Sequence, residues 1–318
     1  MTIVLHNLFS SLIFPGFLFT LIVGLFASWL VRKVGALVQY RVGPPVLQPL
    51  YDVGKLLGKE ILIPQEAQKA VFIGAPLVGF AAVMLLTTLL WRTALDQAPF
   101  MGDSIVVIYM MVIPSLALIL GGSASASPHA ALGASREMKL VLAYELPLVL
   151  AFIVVLIKTT GADGSVSLSL ATIAQHTSAL SISGMLAFLV ALLCIHAKLG
   201  YVPFDMAESE TEIASGLIME YSGALLAVWK LMHMLMLVVL PLYLILMFLG
   251  GFGTSGGALA AGIGKFVLIW VLMILIKNTN PRVRIDQAMR FFWCTCGSLM
   301  IVAVVLATVG RVTGLTWL

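Results

Sequence analysis

Charge is scarce in this sequence. Only 10% of its 318 residues are charged and 61% are hydrophobic, against about 25% and about 45–50% in soluble globular chains. So few charges cannot cover a folded chain of this length in water. A soluble domain, a disordered chain and an ordinary nucleic-acid binder are excluded on that ground. The net charge of +4 gives no nucleic-acid signal, because the bases sit in loops between apolar runs. Cysteine is scarcer still: Cys194, Cys294 and Cys296 all lie inside apolar stretches. No Cys-x-x-Cys or Cys/His cluster is present to hold zinc or an iron–sulfur group, so neither a metal nor a cofactor is expected in this chain. The three thiols read as small packing residues. No phosphate loop or nucleophile–base arrangement appears, and no internal repeat of the kind that marks many secondary transporters. No cleavable signal peptide is evident. The first apolar run lacks a preceding basic residue and passes straight into a basic segment, as a retained span does.

What the chain has in quantity is long apolar runs. A membrane-crossing helix needs about 20 predominantly apolar residues. Eight candidates follow, at roughly 9–31, 70–91, 104–121, 138–158, 184–199, 224–249, 261–277 and 291–310. The expected fold is therefore all-α: a single polytopic membrane domain over residues 1–318. Lysine and arginine set the orientation. The loops after spans one, three, five and seven hold Arg32, Lys33, Arg41, Lys55, Lys59, Lys69, Arg136, Lys139, Lys198, Lys277, Arg282, Arg284 and Arg290. The other side has Arg92, Lys158, Lys265 and Arg311. That asymmetry places the odd loops in the cytoplasm and, with eight spans, both termini outside a cell (plasma) membrane.

The first cytoplasmic loop, 32–69, contains an amphipathic stretch. Leu50, Val53, Leu56 and Leu57 fall on one helical face, and Asp52, Lys55 and Lys59 on another. An interfacial or partner-docked helix is expected there.

Of fourteen acids, five crowd one loop, 197–223: Asp205, Glu208, Glu210, Glu212 and Glu220. If that stretch is helical, Asp205, Glu208 and Glu212 share a face. Packed like charges raise one another's pKa, which suits a proton relay. The Asp205–Glu208 spacing after Pro203 is also that of a helix cap with its reciprocal partner. Glu145 lies about eight residues inside the fourth expected span, roughly 12 Å deep, where a carboxylate costs a few kcal/mol. Pro147 beside it opens a helix turn. Lys230 and His233 pair at i, i+3 within the sixth span. Lys198, closing the fifth span beside His196, is expected to snorkel to the interface. Arg136-Glu137 is expected to open the fourth span. Asp286 sits among Arg282, Arg284 and Arg290.

Four stretches resemble one family in its own order. They are Gln39-Tyr40-Arg41-Val42-Gly43-Pro44 with Asp52 to Lys59; Gly133-Ala134-Ser135-Arg136-Glu137 through Tyr144-Glu145; Pro203-Phe204-Asp205 through Glu220-Tyr221-Ser222-Gly223; and Arg282-Val283-Arg284-Ile285-Asp286-Gln287. The chain resembles the H subunit (mitochondrial subunit 1) of complex I, in the branch of membrane-bound group 4 nickel–iron hydrogenases. The resemblance implies a non-catalytic membrane anchor that couples a soluble redox arm to proton or sodium translocation in a bacterium or archaeon. The implied partners are a nickel–iron-type large subunit, an iron–sulfur small subunit and antiporter-like membrane subunits, with the nickel–iron and iron–sulfur clusters on those partners. The implied coupling positions are Glu145, Asp205, Glu208, Glu210, Glu212, Glu220 and Asp286. Lys230 and His233 are expected on the same polar path, and Arg41, Arg136, Arg282 and Arg284 on the docking side. Quinone-reducing members read Ala-Glu-Thr-Asn-Arg-x-Pro-Phe-Asp. Here Ala197-Lys198-Leu199-Gly200-Tyr201-Val202-Pro203-Phe204-Asp205 departs at Lys198 and Tyr201, which weakens the implication of quinone binding. A quinone- or sulfur-reducing relative remains the alternative within the family, and a stand-alone secondary transporter the alternative outside it.

Overall fold

The computed structural model describes residues 9, 12–96, 103–160, 166–253, 256–315 and 317–318. Apolar runs of 20 residues or more can satisfy their backbone in lipid only by coiling, and the described residues contain helices and no strand. In chain order these are α1 (Phe17–Val38), α2 (Gln48–Leu57), α3 (Lys69–Asp96), α4 (Asp103–Ala124), α5 (Pro128–Thr159), α6 (Leu170–Ile173), α7 (Ile182–Lys198), α8 (Glu210–Ile213), α9 (Gly223–Phe248), α10 (Gly256–Thr279), α11 (Ile285–Arg290) and α12 (Gly297–Thr313). A π-helical turn, Phe291–Cys296, joins α11 to α12. Among the described residues seven helices are long and apolar enough to cross a membrane. An eighth crossing exists if Leu170–Leu180 and Ile182–Lys198, bent by 107°, form one broken span. The chain is a polytopic membrane protein.

The expected spans are present with displaced ends. The first runs from Phe17 rather than residue 9, and residues 10 and 11 lie outside those described. The fourth begins at Pro128, ten residues ahead of its expected start, so Arg136 and Glu137 lie inside α5 rather than opening it. The fifth, α7, follows a bend of 107° after Leu170–Leu180. Before that bend α6 is held by Asp103, whose Oδ1 accepts from the backbone N–H of Leu170 at 2.6 Å. A carboxylate at a helix start satisfies a donor that the helix itself leaves open.

α9 sits at the centre. Of its most apolar window 89% is buried, and it packs on α1, α2, α3, α7 and α10. A helix apolar on all sides has no preferred lipid face and goes to the middle. α3, α4, α5, α7 and α12 pack in sequence around it. The amphipathic helix exists as α2, but its buried face is Pro49, Val53 and Leu56. Leu50 and Leu57, expected to share that face, are exposed. Asp52 on the other side binds Arg32 of α1 at 2.8 Å, and that guanidinium holds the Asp52 carboxyl below its ordinary value. Cys194 and Cys296 are buried and Cys294 is exposed, all as free thiols.

The loops split between two ends. At one end the loop after α1 meets the loop after α7, where the Leu62 N–H donates to Ser222 Oγ at 2.8 Å. The loop after α7 also meets the loop after α10, where the Val283 N–H donates to Pro203 O at 3.1 Å. At the other end Lys265 Nζ donates to Gly251 O, and Arg311 donates to Ile157 O and Thr160 O.

Candidate functional site

The acidic loop is not a helix. From Tyr201 to Ser209 it is extended and turning, and helix resumes only over α8. Asp205, Glu208 and Glu212 therefore do not stack on one face, and Asp205 caps no helix. The stretch is fixed instead by bonds to three other elements. Arg282 donates to Asp205 Oδ2 at 2.7 Å and to Ser209 Oγ at 2.9 Å. Arg136 donates to Met206 O and, at 2.6 Å, to Glu212 Oε2. His196, buried in α7, contacts Val202 O through Nε2 at 2.7 Å. These partners compete with a helical ladder and win because the loop is pressed against α5. A Cβ on Gly133 would stand 2.9 Å from both Ala207 O and Leu217 N, and one on Gly216 would collide with Ala207 O. Gly216 also has φ +42°, where an L side chain is strained.

The loop roofs a cavity of about 420 Å³. Its lining includes Arg32 from α1, Tyr201, Asp205 and Glu208 from the loop, Trp229, Lys230 and His233 from α9, and Lys277 and Arg282. His233 Nε2 stands 3.4 Å from the Tyr201 hydroxyl. A smaller space of about 30 Å³ adjoins it and shares Asp205, Glu208 and His233. It reaches Ser115, Glu137 and Lys198. Glu208 thus borders both spaces. Burial, with the Asp205 carboxylate second, pushes its carboxyl up to about 7.

Beyond the small space lies the polar centre of the bundle. Lys198 does not snorkel. Its side chain has no exposure, and Nζ donates to Glu145 Oε1 at 2.6 Å and to Met111 O at 3.0 Å. The reason is topological: the chain after Lys198 folds back over the bundle end, so the end of α7 is not an interface. Glu145 is 19% exposed, and Leu142 and Leu146 beside it are exposed, so the series of groups ends at the flank of α5. Tyr144 turns inward to Ser115, with 3.2 Å between hydroxyls.

The structure thus brings Asp205, Glu208, Lys230 and His233 to one cavity, and pairs Glu145 with Lys198, which lines the smaller adjoining space. It leaves other expected members outside. Glu212 is 57% exposed in its pair with Arg136. Asp286 is exposed and 3.3 Å from Arg284, and Glu220 lines neither space. Glu210 lies in α8, but its side chain is outside those described. Arg41 is exposed on the loop after α1. Sequence reasoning missed two members. Glu137 looked like a surface residue at a helix start, and Lys198 like an interfacial anchor. The available signal was Glu137 at eight residues from Glu145, close to one helical face. Among the described residues no group of three or more His, Cys, Asp or Glu side chains is placed to hold a metal ion.

The fold and this arrangement define a polytopic membrane protein with its charged chemistry gathered at one end and continued inward by buried acids. The family described as NADH dehydrogenase matches residues 11–308. The chain is 33% identical over 299 residues to the H subunit of the NADH-quinone oxidoreductase of Dehalococcoides mccartyi strain CBDB1, covering 91% of this chain and 82% of that one. It is 35% identical over 283 residues to the corresponding H subunit of Syntrophotalea carbinolica, covering 82% and 83%. It belongs to the family of NADH-quinone oxidoreductase H subunits. Its fold is also that of a chain in the membrane-bound sulfane sulfur reductase, an archaeal respiratory membrane complex, at TM-score 0.83 and 24% identity over 96% of this chain and 100% of that one.

Proposed function

We propose that this chain is the membrane-anchor and ion-coupling subunit of a multisubunit respiratory complex, linking a soluble redox arm to ion translocation. The observation that carries the reading is a row of charged groups: Asp205, Glu208, Glu137 and Lys198 line one small space, and Lys198 binds Glu145 at 2.6 Å. The row leads from the charged cavity under the loop to the flank of the bundle. A path that starts at a docking face and ends at a lateral surface suits a subunit that passes charge to a membrane neighbour. The soluble arm would meet the end that carries Arg41, Arg136, Arg282 and Arg284, in the cytoplasm by the positive-inside rule. The partners we propose are a hydrogenase-type large subunit with nickel–iron, an iron–sulfur small subunit and antiporter-like membrane subunits, in a bacterial or archaeal plasma membrane with both termini outside.

A second reading has its own support: the curated relatives are subunits of quinone oxidoreductases, and the cavity has the volume of a small-molecule site. Against it, Lys198 and Tyr201 stand where the resemblance expects Glu and Arg. Lys198 is spent on Glu145 rather than offered to the cavity.

The test is Glu145→Gln in the intact complex, with ion pumping in proteoliposomes measured beside dye-linked redox activity in detergent. Glutamine keeps the volume and cannot change charge. Pumping per electron should fall more than about tenfold, a barrier rise of about 1.4 kcal/mol or more, with redox activity retained. Pumping at the wild-type level would leave Glu145 as a structural hydrogen-bonding group.

A further inference from the structure

We propose that the Lys198 ammonium is a tethered cation that makes this path selective for protons, by occupying the position an inorganic ion such as Na⁺ would need. The proposal rests on the reading of the acid series as an ion path and names the ion.

An ammonium has three donors and no acceptor. Two of the Lys198 donors go to a carboxylate oxygen of Glu145 at 2.6 Å and the backbone carbonyl of Met111 at 3.0 Å. Nζ also stands 5.2 Å from the centroid of the Tyr144 ring, within cation–π range. Carboxylate, backbone carbonyl and ring face are groups that hold a dehydrated monovalent cation. They converge from α4 and α5 on a side chain delivered by α7 with no solvent exposure. A second cation arriving there would find these oxygens already bonded and a like charge a few ångströms away with little water to screen it.

Protons are not excluded by the same device, because they move by exchange of bonds and need no empty volume. An N–H bond of Lys198 breaks as an O–H bond forms on Glu145, leaving a neutral amine and a neutral acid. An O–H bond of Glu137 then breaks as the amine regains its proton. The sum is one proton moved from Glu137 to Glu145, with no electron transferred and Lys198 restored. Glu137 and Lys198 line the same space of about 30 Å³, which has room for a bridging water.

The test is a Na⁺ titration of the intact purified complex against choline at constant ionic strength, read by the thermal unfolding midpoint and by the carboxylate infrared bands. Wild type and Glu145→Gln should respond alike. Lys198→Ala should gain a saturable, Na⁺-specific stabilisation that the Lys198→Ala/Glu145→Gln double variant lacks. Absence of that gain, or a Glu145-dependent Na⁺ response already in wild type, overturns the proposal. If Lys198→Ala does not assemble, methylammonium or Na⁺ supplied during membrane preparation should restore assembly, and failure of both overturns it too. This readout does not involve pumping. Normal pumping in Glu145→Gln would sink the relay while the titration still decides whether Lys198 fills a cation site.

Discussion

Glu208 is the acid whose protonation the structure speaks to most directly, since it lies in the loop between the two spaces. Its carboxyl is pushed up to about 7 by burial and by Asp205. The native state therefore holds a proton that the unfolded chain releases at a lower pH. Stability from this group is present at acid pH and declines as pH rises toward about 7, above which the complex carries the cost of a desolvated carboxylate. A neutral-carboxyl infrared band titrating at about pH 7 should be present in wild type and missing in Glu208→Gln, and the variant should lose less stability on raising the pH. If the band persists unchanged in Glu208→Gln, it belongs to another acid. Glu145 stood out in the sequence, because a carboxylate in an apolar run has little other reason to be there; Glu137, read as a helix start, did not. The partners of these acids were not legible. Lys198 pairs with a residue 53 positions away, and no local spacing announces such a contact.

At the scale of elements, the decisive feature is that the acidic loop is seated on α5 rather than wound as a helix. The close approach at Gly133 is the weak point of that seat. Gly133→Val would force its side chain into Ala207 O and Leu217 N, at a cost of about 1–3 kcal/mol by overpacking. Residues 201–218 should become sensitive to limited proteolysis while the spans remain protected. Protection equal to wild type would show that the loop is held by its ion pairs alone. Helices were readable from apolar length, because lipid leaves the backbone no other choice. Their ends were not, since a helix such as α5 continues past the apolar run into polar residues covered by a neighbouring loop. The 107° break before α7 was invisible for a related reason: the Leu170 N–H ahead of it is bonded by Asp103 of another span.

For the whole molecule, the gathering of the loops after α1, α7 and α10 at one end makes orientation a single yes-or-no question. In a background lacking Cys294, the exposed free thiol, Arg41→Cys and Leu180→Cys should be labelled by an impermeant maleimide from opposite faces. Arg41→Cys should react from the cytoplasmic side, and the reverse result would invert the topology. The two-sided charge pattern was evident in the sequence because it follows from where Lys and Arg fall between the apolar runs. The cavity was not, because its lining is drawn from α1, α9, α10 and the loops between. One pairing in this architecture also bears on how the chain is made. Glu145 is synthesised 53 residues before Lys198. When α5 enters the bilayer its acid has no counter-charge, and ionised it would cost a few kcal/mol. Until α7 follows, Glu145 is without the ammonium that pairs with it in the folded chain. The expected consequence is that the insertion machinery retains the nascent chain across that interval. A ribosome-stalled fragment ending before residue 198 should remain crosslinked to the translocon, whereas one extending well beyond it should be released.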